Sequence, residues 1–333
     1  ANDQMLANFG TIELQMGNAK YAIELLDRSI LIKPNQPNIL NNLGNYYLEN
    51  GDVQKSIKYF DMAISLGSEN FNAFYNKGRA MTSINSMEDA INCYKQAIKI
   101  NPENKATHLN LGFIFNSTNR FDEAIHEYNI AIDLDENFTE AIFNRGITFS
   151  NQGNHEKAIE DFDVAIRIDR NARFILKRAS SYEKLESFSK ALDDYSHIIN
   201  SDSSKKDKGM AYCRRGILQN QMDNLENGMP DIEMAINLQP DNAGFYNELA
   251  FGLEKLNRNE EATKRYKHAI ELDPENYIAQ MNLSRLELAS HNYRSGWQRY
   301  ESRWKAQGLG LIPLVTKKPK LESFEVKNKK ILI

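Results

Sequence analysis

The sequence predicts an all-α fold: a right-handed superhelical solenoid of about nine helix-turn-helix hairpins that ends in an irregular tail. Three observations predict it. A small residue recurs at Gly10, Gly44, Gly78, Gly112 and Gly146, each 34 residues from the last, and continues at Ala179, Gly216, Ala250 and Ser284 after one 33-residue and one 37-residue step. A second small residue follows each by 12: Ala22, Ser56, Ala90, Ala124, Ala158, Ala191, Gly228, Ala262 and Gly296. Large apolar residues then follow at helical spacing, first Leu26, Phe60, Tyr94, Tyr128, Phe162, Tyr195, Ile232, Tyr266 and Tyr300, then an isoleucine in every unit until Trp304 takes its place.

Each element of the unit has a physical reason. Spacings of three and four place these residues on one stripe of a helix. Small residues at a crossing let two helices approach closely, and the large ones fill the space beside them. Pro34, Pro102, Pro240 and Pro274 close several units, because proline lacks an amide hydrogen and pushes the residue before it out of helical geometry. A single hairpin cannot bury both its faces, so neighbours must stack.

The expected division is residues 1–205 for repeats one to six, a short insertion at 206–208, residues 209–304 for repeats seven to nine, and 305–333 as a loop with a first strand of a further domain. In repeat seven, Gly228 and Pro230 fall where the second helix should be well under way. Proline in a helix interior costs about 3 kcal/mol, so a distorted or shortened helix is expected there, as a kink or as a hinge between the two parts. The chain opens inside a helical pattern and ends on Lys329-Lys330-Ile331-Leu332-Ile333, an unpartnered apolar run that reads as a strand. The expectation is a fragment of a longer polypeptide.

Composition narrows the function. The formal net charge of −4 argues against a broad grip on nucleic acid, which rests on an excess of Lys and Arg. No apolar run reaches the length of a membrane span. Cys93 and Cys213, far apart, make no disulfide framework, which suits a cytoplasmic setting. The six histidines fall in different repeats without metal-ligand spacing. Gly308-Leu309-Gly310 is too short to read as a phosphate cradle. Catalytic residues, metal and cofactors are therefore expected to be absent from these residues, and the expected partner is a protein or peptide.

The period, the small-residue pair and the terminal proline together resemble the tetratricopeptide-repeat (TPR) family over residues 3–304. Within this frame the sixth position of the unit is the most informative: Asn8, Asn42, Asn76, Asn110, Asn144 and, in the ninth repeat, Asn282. Positions two, six, nine and thirteen share a face opposite the packing stripe, so Asn45 joins Asn42 in repeat two. Asparagine is a poor helix former, and its recurrence needs a cause. Its amide matches the donor and acceptor of a peptide group, so a row of asparagines can hold an extended peptide by its backbone. The competing reading has the same side chains bonding between adjacent repeats and holding the superhelix. The TPR superhelix of O-GlcNAc transferases carries a similar ladder, and TPR domains that clamp chaperone tails use asparagine beside Lys or Arg; this resemblance implies peptide binding.

The ladder breaks at Lys177, Arg214 and Glu248. Arg173, Lys177 and Arg178, with Arg214 and Arg215, read as a basic island able to take a carboxylate, or as a solvated charged face. The last unit, Gly296-Trp297-Gln298-Arg299-Tyr300-Glu301-Ser302-Arg303-Trp304, resembles the hairpin that precedes a glycosyltransferase-like domain in bacterial TPR proteins. That resemblance implies a substrate-recruiting arm, with Trp297, Tyr300 and Trp304 as a cap or a domain contact. A third expectation is a scaffold that self-associates through its ends.

Overall fold

The computed structural model describes residues 2–67 and 69–305, and these are helical throughout apart from short connections. The chain forms two compact units, Ala1–Lys177 and Arg178–Ile333. The strand expected at 329–333, the loop before it and Gly308-Leu309-Gly310 lie outside the described residues.

The first unit holds five complete hairpins. They are α1 (Asp3–Gln15) with α2 (Ala19–Ile32), α3 (Pro37–Glu49) with α4 (Val53–Leu66), α5 (Phe71–Ser83) with α6 (Met87–Ile100), α7 (Lys105–Ser117) with α8 (Phe121–Leu134), and α9 (Thr139–Asn151) with α10 (His155–Ile168). The next helix, α11 (Ala172–Lys184), runs across the division between units. The second unit continues with α12 (Phe188–Asn200), α13 (Lys205–Gln221), α14 (Leu225–Leu238), α15 (Ala243–Lys255), α16 (Asn259–Leu272), α17 (Tyr277–Ala289) and the short α18 (Tyr293–Tyr300), closed by a 3₁₀ turn over Glu301–Trp304.

The small-residue positions do what their spacing predicts. A Cβ on Gly44 would stand 2.4 Å from Phe60 Cε1, and one on Gly78 would stand 2.7 Å from Tyr94 Cε1. The ring of the second helix thus occupies the space that a side chain on the first would need. Tyr94, Tyr128, Tyr195, Tyr266, Phe60 and Phe162 are the largest fully buried side chains, each worth roughly 1.5–3 kcal/mol of apolar burial. Between hairpins, second helices pack on the following first helix, as α4 does on α5 and α16 on α17. First helices also touch one another: α1 with α3, α3 with α5 and α7 with α9 in one unit, α13 with α15 and α15 with α17 in the other.

Connections are equally regular. The turn inside every hairpin places one residue at positive φ: Gly17, Gly51 and Gly153 do so without a side chain, while Asn85, Asn119, Glu186, Asp223, Asn257 and His291 do so with one. Many first helices start on an asparagine cap, with Asn70 accepting from Ala73 N, Asn104 from Thr107 N and Asn276 from Ala279 N. Pro34, Pro102, Pro240 and Pro274 each stand two residues past the end of a second helix. In three cases the next hairpin reads the proline carbonyl: His108 Nε2, Tyr246 Oη and Gln280 Nε2 meet the oxygens of Pro102, Pro240 and Pro274 at 2.9, 3.1 and 2.6 Å.

The residues of the short insertion at 206–208 are helical and belong to α13, which at 17 residues is the longest described helix. Ser204 caps it by accepting from Asp207 N while its hydroxyl donates to the Asp207 carboxylate. One expectation changes: the helix around Pro230 is not shortened. α14 has 14 residues, the length of the other complete second helices except α12. Pro230 is exposed, so its ring meets solvent. Gly228 meanwhile packs into a close crossing, where a Cβ on Gly216 would stand 2.6 Å from the Gly228 carbonyl oxygen.

Candidate functional site

The candidate site of the first unit is the face of α1, α3, α5, α7 and α9 that carries Asn8, Asn42, Asn76, Asn110 and Asn144 at one recurring helical position. Asn8 is exposed and accepts from Gln4 Nε2 at 2.9 Å. Asn42, Asn45, Asn110 and Asn144 are half-buried, whereas Asn76 is only 6% exposed. The buried Oδ1 of Asn45 has no hydrogen-bond partner among the described residues.

The amides bridge hairpins. Asn76 Nδ2 donates to Asn41 Oδ1 at 3.0 Å, and Asn110 Nδ2 donates to the Tyr75 hydroxyl at 3.2 Å. In the second unit Asn282 Nδ2 donates to Asn247 Oδ1 at 3.2 Å. Each link spans 35 residues, one position back in the preceding first helix. These bonds fix the amide orientation. They use one of the two Nδ2 protons, so a donor and acceptor capacity remain on each side chain.

The basic residues separate into two kinds. Arg178 forms an ion pair with Asp194 at 2.5 Å, and Arg215 pairs with Asp231 at 2.7 Å. Arg145 does the same with Asp161 at 2.7 Å. All three pairs span 16 residues within a hairpin and are bidentate. Arg145 and Arg215 also reach back to Asn129 and Ser196 of the preceding second helix. Arg178 and Arg215 are therefore structural rather than members of a free basic island, which corrects that expectation. The acids that hold them stand on the second helix, where the sequence reading did not look.

Arg173 and Lys177 are of the other kind. Both are exposed, and among the described residues no carboxylate pairs with either. The Arg173 guanidinium sits over the Phe143 ring at 4.6 Å and near Phe174 at 5.2 Å, which holds the cation in place with its N–H edges open. Arg214, in the second unit, is exposed, and its charge lies within influence of Glu248. Burial pushes the Glu248 carboxyl above its ordinary value, against the opposing pull of its Asn247 hydrogen bond and Arg214.

At the end of the second unit Trp297 meets Tyr300 edge-on at 5.6 Å, and Arg303 lies over the rings of Tyr300 and Trp304 at 4.2 and 4.3 Å. Trp297 stays exposed. Both cysteines are buried, and burial pushes their thiols to about 11 for Cys93 and about 12 for Cys213. Neither is a thiolate at neutral pH. Among the described residues no group of three or more His, Cys, Asp or Glu could hold a metal ion, and no helix is long and apolar enough to cross a membrane.

The sequence reading placed the ninth repeat position on this face but did not follow it past the early repeats. On the ladder face of the first unit it carries Arg79, Phe113 and Ile147, and in the second unit Ile217, Phe251 and Arg285. Phe113 is 49% and Phe251 41% exposed. Reading the ninth position down the repeats, as was done for the sixth, would have shown both phenylalanines on a face meant for polar residues.

The paired helices, the small-on-large crossings and the proline stops define the class: an all-α helical-hairpin repeat protein. Tetratricopeptide-repeat profiles match residues 25–58, 78–118, 117–173 and 243–276. The chain is a tetratricopeptide-repeat protein. Among solved structures it is similar to a tetratricopeptide repeat protein from Parabacteroides merdae ATCC 43184, at 18% identity and a TM-score of 0.56, over 75% of this chain and 98% of that one. It is also similar to MamA 41-end from Desulfovibrio magneticus RS-1, at 21% identity and a TM-score of 0.48, over 50% and 95%. YrrB, a TPR protein with an unusual peptide-binding site, shares 18% identity at a TM-score of 0.42, over 65% and 93%. The Parabacteroides likeness is one of fold. No curated protein matches the sequence.

Proposed function

We propose that this chain is a protein–protein interaction module whose first unit receives an extended peptide segment of a partner protein along its asparagine face. The observation that supports the reading is the recurrence of one amide at one helical position on five successive first helices, Asn8 to Asn144. The bond to the preceding hairpin orients the half-buried amide of Asn110 and leaves a second proton for a peptide carbonyl. An amide pre-oriented in this way loses less entropy on binding. Each bond contributes about 0.5–1.5 kcal/mol net, so the ladder alone gives weak and sequence-tolerant binding.

The test separates binding from stability. Asn42 and Asn144 have no side-chain bond to a neighbouring hairpin among those described, whereas Asn76 is buried in one. The variant Asn42→Ala with Asn144→Ala should weaken peptides selected on the wild-type chain from a displayed random library by about tenfold or more, with little change in Tm. Asn76→Ala should lower Tm. Unchanged binding by the double variant, at normal Tm, would leave the ladder a purely structural device.

A further inference from the structure

We infer that the peptide taken by the first unit is an acidic segment built around a large apolar residue, which seats on Phe113 and Ile147; this rests on the peptide-binding reading above. Phe113 stands on α7 at the ninth repeat position, three residues past Asn110 and on the same face. It is 49% exposed, while one residue further on Ile114 is fully buried in the core. The exposure therefore belongs to the ladder face and not to a frayed helix. Ile147, at the same position on α9, is half-buried beside it in sequence order, with Asn144 one turn before it.

Ile147 also packs against the core cluster of Phe143 and Phe162, so Phe113 is the exposed apolar group of this stretch, and the charges around it give the chemistry of an occupant. Arg79 holds the ninth position one hairpin before Phe113 and is exposed; its one described side-chain bond is a 3.4 Å contact to the neighbouring Asn76 Oδ1. Arg173 and Lys177 follow Ile147 on α11 and are likewise without a carboxylate partner among the described residues. Over this stretch the face presents three cations against one acid, Glu140, although the chain as a whole carries a net charge of −4. The order along the hairpins is cation, apolar, apolar, cations. The complementary occupant is acidic, apolar and acidic again, held by the amides between.

The second unit repeats the motif independently. Its ninth positions carry Ile217, Phe251 and Arg285, and Phe251 is 41% exposed. There Arg285 is already engaged by Glu254 at 2.5 Å. At the ninth position the cation with no carboxylate partner among the described residues is therefore Arg79, in the first unit, and the acidic segment is placed there.

Fluorescence anisotropy with three labelled peptides tests the assignment. The first has a Glu-Asp-Phe-Asp-Glu centre flanked by Gly and Ser, the second has Ser in place of Phe, and the third has Lys in place of each acid. The intact chain should bind the first at least tenfold more tightly than the other two. Phe113→Gln, at an exposed site, should remove the preference for the first over the second while leaving Tm unchanged. Arg79→Ala and Arg173→Ala should each weaken the acidic peptides and flatten their salt dependence. Equal binding of the Phe and Ser peptides, or no effect of Phe113→Gln, overturns the assignment. If the first two peptides bind alike and the Asn42→Ala, Asn144→Ala variant still weakens both, the ladder reading survives and only the peptide class fails. If that variant binds every peptide as the wild type does, the ladder reading itself fails.

Discussion

His108 has both ring nitrogens engaged. Nδ1 meets Glu127 Oε2 at 2.7 Å, and Nε2 meets the Pro102 carbonyl at 2.9 Å, in a site only 3% exposed. Both partners are acceptors, so the doubly protonated ring fits and the neutral ring wastes one contact. Burial opposes the charge, but the Glu127 and Pro102 bonds outweigh it and hold the His108 pKa above its ordinary value of 6.5. Because the folded pKa is the higher one, the native state keeps its proton when the unfolded chain has lost it. The stabilisation is complete below about pH 6.5 and disappears as pH rises through the folded value. Urea unfolding of wild type and His108→Gln should therefore differ by about 2 kcal/mol in mild acid, the scale of a hydrogen bond to a charged group, and by clearly less in mild alkali. A gap that grows with pH would contradict this sign. The sequence showed only a lone histidine in a repeat. The glycine–ring contacts, such as Gly44 against Phe60, were by contrast legible from spacing alone, because both partners sit at fixed positions in every unit.

At the scale of one helix, the sequence argument about α14 failed for an identifiable reason. Proline removes one helical bond and crowds the carbonyl four residues back, here that of Glu226, and both penalties fall on the solvent side. Packing at Gly228, Met229 and Ile232 on the other side keeps the helix continuous. The penalty should thus still be present as strain rather than as a break. Pro230→Ala is expected to raise stability by about 1–3 kcal/mol, read as an increase in Tm, and no gain would mean that the backbone has already relaxed around the ring. The bidentate Arg–Asp pairs were illegible for a different reason. Arg145, Arg178 and Arg215 look like surface cations until their partners on the second helix are known, and a sequence scan along one helix never meets them.

Within each unit, and among the described residues, helices touch near neighbours in the chain order and little else. Stability in such an array is close to a sum of hairpin and nearest-interface terms, so damage should stay local. Phe60→Ala removes a fully buried ring at a cost of about 3–5 kcal/mol. Amide hydrogen exchange should accelerate at least a hundredfold in α3 and α4 and rise in the adjoining hairpins, with α15 to α17 unaffected. Uniform acceleration along the chain would show a single cooperative unit instead. The repeat count and the hairpin boundaries were open to sequence reading because they depend on local periodicity. The ladder was legible as a pattern but not in its bonding, because an amide's partner 35 residues away is decided by packing.

α13 is four residues longer than the other first helices, 17 against 13, and the place of that lengthening bears on which lengths the repeat holds fixed. The spacing from first to second small residue is 12 in all nine units, while the only irregular steps, of 33 and 37 residues, fall between one hairpin's end and the next one's start. Both irregular steps fall outside the 12-residue span that joins the two small residues of a hairpin. Growth of a first helix at its free N-terminal end disturbs no crossing, whereas a single added residue within the hairpin would rotate every ring off its glycine. The span between the two small residues is thus the fixed measure of the repeat, and the stretch before a first helix is where its length can vary.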